Sequence, residues 1–254
     1  MEGCGKFATA CILGVLGSLP QGAAEAAELV ILTNQGVTPG VREVAAAFER
    51  SSGNKVTVIQ EAGPALERRL ASNGPADLVA SNPASIEGLA KKGWVVVDTA
   101  TPFVLAKLGL SVRAGAPKPD ISTVEAYKVA LLGAKSIGYS RGCSGTHAAE
   151  GIEKLGIAAQ LMPKTKFVDD GPVVEFLARG DFEIGIQQTN IMVGAPGTEY
   201  VGDLPGFLNN PCPSSVALVK ASAAPAVARA MIKFMTSPEV APLLRKTHVE
   251  PARQ

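Results

Sequence analysis

Aromatic residues are scarce in this chain: they make up 5% of it, and Trp94 is the sole tryptophan. A sugar site built on ring stacking is therefore disfavoured. Neither sign of charge is in excess, with 24 Lys plus Arg against 23 Asp plus Glu. There is no basic stripe, so nucleic acid is not an expected partner. Any preference for a charged ligand must come from a local site and not from a global field. Histidine is limited to His147 and His248, and the four cysteines form no Cys/His cluster at ligand spacing, so no metal is expected. No P-loop is present, and no cofactor is implied. Residues 142–145 contain a Gly-x-Ser-Gly string, but it lacks the spacing of a nucleophile elbow. Cys143 with His147 four residues on could share a helical turn, yet no base-orienting partner accompanies them.

Long hydrophobic runs are also lacking, with one exception. Phe7–Leu19 is apolar, follows Lys6, and is ended by Pro20 and Gly22. It is shorter than the ~20 residues needed to span a bilayer. Ala24-Glu25-Ala26 fits the small-x-small rule for cleavage, so residues 1–27 read as an export signal cut near Ala26. An N-terminal core helix is one alternative; a lipoprotein anchor at Cys4, before the apolar run, or Cys11, within it, is another, and neither cysteine is well placed for it. Export to the periplasm leaves Cys143 and Cys212 in the mature chain, where they could pair or stand as independent thiols.

What remains alternates short apolar strands with amphipathic helices. Leu29–Leu32, Lys55–Gln60 and Asp77–Ala80 read as strands, each followed by a helical pattern ending near Gly or Asn. A second series follows the Pro-rich turn at 116–119: strands at Ser136–Ser140, Lys166–Val168 and Glu183–Gln187, again interleaved with helices. This rhythm predicts an α/β chain of two lobes, each a mainly parallel sheet flanked by helices, with a hinge between them. Strand-like crossings near Leu108–Val112 and Cys212–Val216 would join the lobes. Residues 28–109 and 214–254 then form a discontinuous first lobe, and residues 110–213 an inserted second lobe.

Open α/β sheets bind ligands outside the carboxyl ends of their strands, where helix N-termini offer unpaired N–H groups. The residues expected there are Thr33, Asn34, Gln35 and Gly36 after the first strand, Gly63 after the second and Ser81 after the third. The second lobe would add Arg141, Ser144, Gly145, Thr146 and Gln188. These are small or hydrogen-bonding residues, as an anion cradle requires. Thr33, Asn34, Ser144 and Thr146 could equally cap their helices.

Several stretches together resemble the periplasmic molybdate-binding proteins of ABC transporters and their relatives. They are ELVILTNQG from Glu28, PADLVAS at Pro75–Ser81, LSVRAGAPKPDIST at Leu110–Thr123, SIGYSRGCSGTHAAEGIEKLGI at Ser136–Ile157, VVEFLARGDFEIGIQQ at Val173–Gln188, and KFMTSPEVAPLL near the end. The resemblance implies a class II binding-protein fold, normally monomeric, that holds a small anion between lobes for an inner-membrane permease. The oxyanion binders carry a Tyr where this chain has Gln188, and here Arg141 and His147 stand beside the second-lobe helix start. A guanidinium suits a carboxylate, so the departure favours an organic di- or tricarboxylate over molybdate. The Leu110–Thr123 stretch and the Gln-Gln pair also resemble the branch that contains aconitate isomerase. That resemblance implies the alternative of an isomerase moving an allylic proton. Its candidate bases are His147, Glu61 and Asp169 or Asp170, with Arg141 as the carboxylate clamp.

Overall fold

The structure is a computed structural model that describes Met1 and residues 26–252. The expected export signal and its cleavage point thus fall almost wholly outside the described residues. No described helix is long and apolar enough to cross a membrane.

The chain begins with β1 (Glu28–Thr33), α1 (Thr38–Ser52), β2 (Lys55–Gln60), α2 (Gly63–Ala71), β3 (Leu78–Ser81) and α3 (Pro83–Lys91). Two strands, β4 (Thr101–Ala106) and β5 (Leu108–Arg113), follow with only Lys107 between them. Next come α4 (Val124–Gly133), β6 (Ile137–Ser140), α5 (Cys143–Lys154), α6 (Ala158–Leu161), β7 (Thr165–Val168) and α7 (Val173–Arg179). They lead to β8 (Ile184–Gln188), α8 (Thr189–Met192) and β9 (Thr198–Asp203). The chain closes with β10 (Cys212–Leu218), α9 (Pro225–Met235), α10 (Ala241–Lys246) and β11 (Glu250–Pro251).

These strands form two sheets, ordered β11-β4-β10-β3-β1-β2 and β7-β6-β8-β5-β9. The two-lobed α/β class is the one observed. The expectation of mainly parallel sheets needs correcting: four of the nine strand pairings are parallel and five antiparallel. The reason is the traffic between lobes. β10 and β5 lead out of and into the crossings and run against the βα strands β3 and β8 beside them, while β4 runs against β10 and β11. Two strands, β4 and β9, carry no clear signal in the sequence. Pro102 interrupts the donor ladder of β4, and β9 is half-buried along most of its length, with no apolar alternation.

Alternation explains the first sheet's burial. Leu29 and Ile31 of β1, Leu78 and Ala80 of β3, and Val216 and Leu218 of β10 belong to one apolar cluster. Leu32, Val79 and Ala217, at the opposite parity, belong to another. Successive strand residues point to opposite faces, so helices cover both sides of this sheet. Leu29, Ile31 and Leu32 are fully buried, which stabilises the fold by about 2 kcal/mol each. The second sheet solves one face differently. Its strands carry Gly138 and Gly185 where Phe182, Leu177 and Val173 press down, and a Cβ on Gly138 would lie 2.3 Å from the Phe182 ring. That face holds its own small cluster of Val168, Val173, Leu177 and Phe182.

A polar cluster secures the first crossing. Thr189 donates its N–H to the Lys107 carbonyl at 2.8 Å and its hydroxyl to Asp203 at 2.8 Å. Tyr200 also donates to Asp203, and the Lys107 ammonium stands 3.4 Å away. Burial pushes the Asp203 carboxyl up, but the bonds from Tyr200 and Thr189 and the Lys107 charge together pull it below its ordinary value. A depressed carboxylate contributes stability at neutral pH that is lost as pH falls through its folded pKa. Asp203→Asn is therefore expected to cost about 1 kcal/mol at pH 7 after allowing for solvent screening. Urea titrations should show the gap to wild type shrinking below about pH 4; a gap unchanged from pH 7 to pH 3 would refute the assignment.

Candidate functional site

The carboxyl ends of the parallel strands in both sheets meet at a cleft of about 450 Å³. From the first lobe it is lined by Asn34, Gln35, Gly36, Ala62, Asn82, Pro213 and Ser214, and from the second mainly by residues 140–144, 168–171, Gln187 and Gln188. A larger hollow of about 610 Å³ lies on the second lobe around Arg113, Pro117 and Phe182, but no long helix begins there.

Helix starts define the cleft chemically. Ala62, Asn82 and Gly142 are the residues that precede the first turns of α2, α3 and α5, and the turn at 34–36 leads into α1. In α1, α2 and α5 no side chain caps the first turn. At α1 the Val37 and Thr38 N–H groups already bond the Asn34 carbonyl and Pro39 has none, whereas the first-turn N–H groups of α2 and α5 are left for a ligand. Asn82 caps α3 by accepting from the Ser85 N–H at 2.8 Å. The formal charges on the lining are Arg141, Asp169 and Asp170, which sum to one negative. Each helix start contributes roughly half a positive charge, so four of them contribute about +2 and reverse the balance.

Arg141 is held without being used up. Its Nε donates to Asp169 Oδ1 at 2.6 Å, and its guanidinium stacks over Phe167 at 4.2 Å. The terminal amino groups have no hydrogen-bond partner among the described residues and remain available. Gln187 is almost fully buried, and its amide has a fixed orientation. The Val173 N–H at the start of α7 donates to its Oε1 at 2.9 Å, which turns Nε2 toward the cleft. That Nε2 donates across the cleft to Gln35 Oε1 at 3.4 Å. Beside it Asn190 donates to the Gly36 carbonyl at 2.8 Å. Gly36 lies so close to Gln188 that a Cβ would come within 2.6 Å of its amide nitrogen. The two lobes are thus in direct contact along this side of the cleft.

Of the residues expected from sequence, Asn34, Gln35, Gly36, Arg141, Ser144 and Gln188 line the cleft. Others lie behind it or elsewhere. Thr33 is buried against Thr38, hydroxyl to hydroxyl at 2.7 Å. Ser81 accepts from Asn34 Nδ2 at 3.1 Å and so orients that side chain. Gly63 borders a neighbouring hollow over α2 and α3. Gly145 is packed against the Ser140 carbonyl, where any Cβ would overlap it. Thr146 bonds the Gly142 carbonyl with its hydroxyl at 3.2 Å. None of Thr33, Asn34, Ser144 and Thr146 caps its helix. α5 begins at Cys143 with Gly142 before it, and α1 begins after Val37.

The four residues considered for proton chemistry separate, and Asp169 is already paired with Arg141. His147 is not among the cleft-lining residues; its Nδ1 lies 2.8 Å from the Asn210 carbonyl and its ring stands against Cys143 and Cys212. Glu61 is bound by Arg69 through two bonds, at 2.8 and 2.6 Å. The hydrogen bond from Arg69 holds its carboxyl below the ordinary carboxylate range. Asp170 lines the cleft with no hydrogen-bond or ion-pair partner among the described residues. Cys143 and Cys212 form a disulfide, Cα to Cα 6.0 Å, and both border the cleft. Because they are bonded to each other, their closeness to His147 is not a metal centre. The sequence places Gln187 in a site loop with Gln188 but omits Asn82 and Ser214. For Gln187 a signal exists: it is a polar residue ending an apolar strand that is otherwise buried.

Comparison with known proteins agrees with this architecture. A curated relative, aconitate isomerase from Pseudomonas sp, is 30% identical over 229 residues, covering 88% of this chain and 87% of the relative. The molybdate-binding protein ModA of Rhodobacter capsulatus is 26% identical over 250 residues, covering 95% and 94%. Among solved structures, the periplasmic molybdate-binding protein of Azotobacter vinelandii superposes with a TM-score of 0.71 at 17% identity, covering 89% of this chain and all of the other. Residues 29–250 match the profile of the bacterial extracellular solute-binding proteins, and the chain belongs to that family.

Proposed function

We propose that this protein captures a small organic di- or tricarboxylate in the cleft between its lobes and delivers it to an inner-membrane permease. The observation that carries the reading is Arg141. Its guanidinium stands at the cleft mouth, already holds one carboxylate through Nε alone, and keeps both terminal amino groups for another. A guanidinium fork can donate two parallel N–H bonds to a ligand carboxylate. The open starts of α2 and α5 and the fixed Gln187 amide supply neutral donors for the remaining oxygens. Closure around the ligand then removes it from water, as in other hinged binding proteins.

A second reading is favoured by Asp170 together with the relative that is an aconitate isomerase. An allylic isomerisation needs a base that takes a methylene proton and returns it to another carbon. Asp170 is the cleft carboxylate that no cation neutralises, whereas His147 and Glu61 are engaged elsewhere. On this reading Arg141 holds a substrate carboxylate, and Asp170 moves the proton.

Calorimetric titration with trans-aconitate, citrate, molybdate and sulfate separates the ligand classes. The expected result is micromolar binding of a polycarboxylate and weak or no binding of the oxyanions. Arg141→Ala should weaken the polycarboxylate by about 10- to 100-fold, the worth of charge-assisted hydrogen bonds. Tight molybdate binding that is indifferent to Arg141→Ala would overturn the assignment. Chromatography of trans-aconitate incubated with the protein decides the second reading. Appearance of cis-aconitate that is lost in Asp170→Asn and kept in His147→Ala supports the isomerase, and a flat trace with intact binding excludes it.

A further inference from the structure

The Cys143–Cys212 disulfide lies between the lobes. Cys143 is the first residue of α5, which packs on the second sheet beside β6. Cys212 is the first residue of β10, paired with Ala106 of β4 in the first sheet. The bond therefore ties the helix that carries Ser144, and directly follows Arg141, to the strand that returns the chain to the other lobe. A second stitch runs alongside, from His147 Nδ1 to the Asn210 carbonyl at 2.8 Å. The covalent crossings are also drawn together: the Leu108 N–H donates to Asn209 Oδ1 at 3.0 Å.

Two rigid bodies joined at several points can rotate only about an axis passing close to all of them. With the crossing at Lys107 and the staple both in place, opening is confined to rotation about the line that joins them. Without the staple, α5 is held to the return segment by the His147 contact and packing, and further directions of opening become available. The bonds that resist opening are weak ones: Asn190 to Gly36 and Gln187 to Gln35.

We propose that the Cys143–Cys212 disulfide is a thiol-exchangeable staple that sets how far the cleft opens. The chemical partner is a small dithiol. Its first thiolate attacks the half-buried Cys143 sulfur, because Cys212 is 1% exposed. A mixed disulfide forms at Cys143 and Cys212 leaves as thiolate. The second thiol then displaces Cys143, giving a cyclic disulfide on the reagent and two thiols on the protein. Two electrons and two protons pass from the dithiol to the cysteines.

Hydrogen–deuterium exchange on the full chain tests this with no ligand present, so the outcome is independent of the carboxylate reading. Amides at 35–38 and 187–190 are compared before and after reduction by dithiothreitol, with the double variant Cys143→Ser/Cys212→Ser alongside. Reduction should speed exchange in both segments by about tenfold while strands β1 and β3 and residues 184–186 of β8 keep their protection, the mark of local opening. The double variant should exchange like reduced wild type and ignore the reagent. Unchanged exchange on full reduction, verified by thiol counting, would overturn the proposal. So would acceleration spread evenly through both cores, since that reports loss of global stability. Should the double variant fail to fold, reduced wild type alone still separates these outcomes.

Discussion

A parallel strand that runs into a helix always places that helix's amino end at the strand's carboxyl end. This geometric constraint governs the molecule. In the first sheet β1, β2 and β3 deliver the starts of α1, α2 and α3 to one edge; in the second, β6 delivers α5. The chain leaves the first lobe after β4 and returns before β10, which turns those two edges toward each other. The cleft follows from connectivity, and the partial charges that fill it follow from the backbone.

This arrangement gives a chain of nearly balanced charge a local positive field in its cleft. Formal charges on the cleft lining favour a cation slightly. Helix starts reverse that balance without adding one ionisable group. The field is therefore local and leaves little trace in composition. Arg141 adds the directional element, and its partnership with Asp169 and Phe167 keeps it in place before any ligand arrives.

Much of the architecture is legible in the sequence because it rests on periodicity. Val41, Val44 and Phe48 recur on one face of α1, and LVIL and SVALV announce buried strands. The antiparallel strands are harder to see. β4 contains a proline and β9 lacks alternation, and their pairing is decided by partners far away in sequence. The cleft is legible in its loops: Asn34 to Gly36, Arg141 and Ser144 stand where a strand-end rule puts them. Rotamer direction is not legible. His147 follows Arg141 closely in sequence but bonds the return segment at Asn210, on the same α5 face as Cys143 one turn earlier. Gln187 and Gln188 alternate across the pleat of β8. The buried one takes its role from a backbone N–H fourteen residues earlier, a relation that no local pattern records.

The open starts of α2 and α5 have one more implication. N–H groups belong to every residue except proline, so substitution of side chains leaves most of that attraction intact. A lineage built on this scaffold can exchange the residues around the cleft, and with them the preferred cargo or even the chemistry performed on it, while retaining a working grip on negative charge throughout. Inherited tolerance of that kind offers a physical reason why the relatives of this chain include both molybdate-binding proteins and an aconitate isomerase.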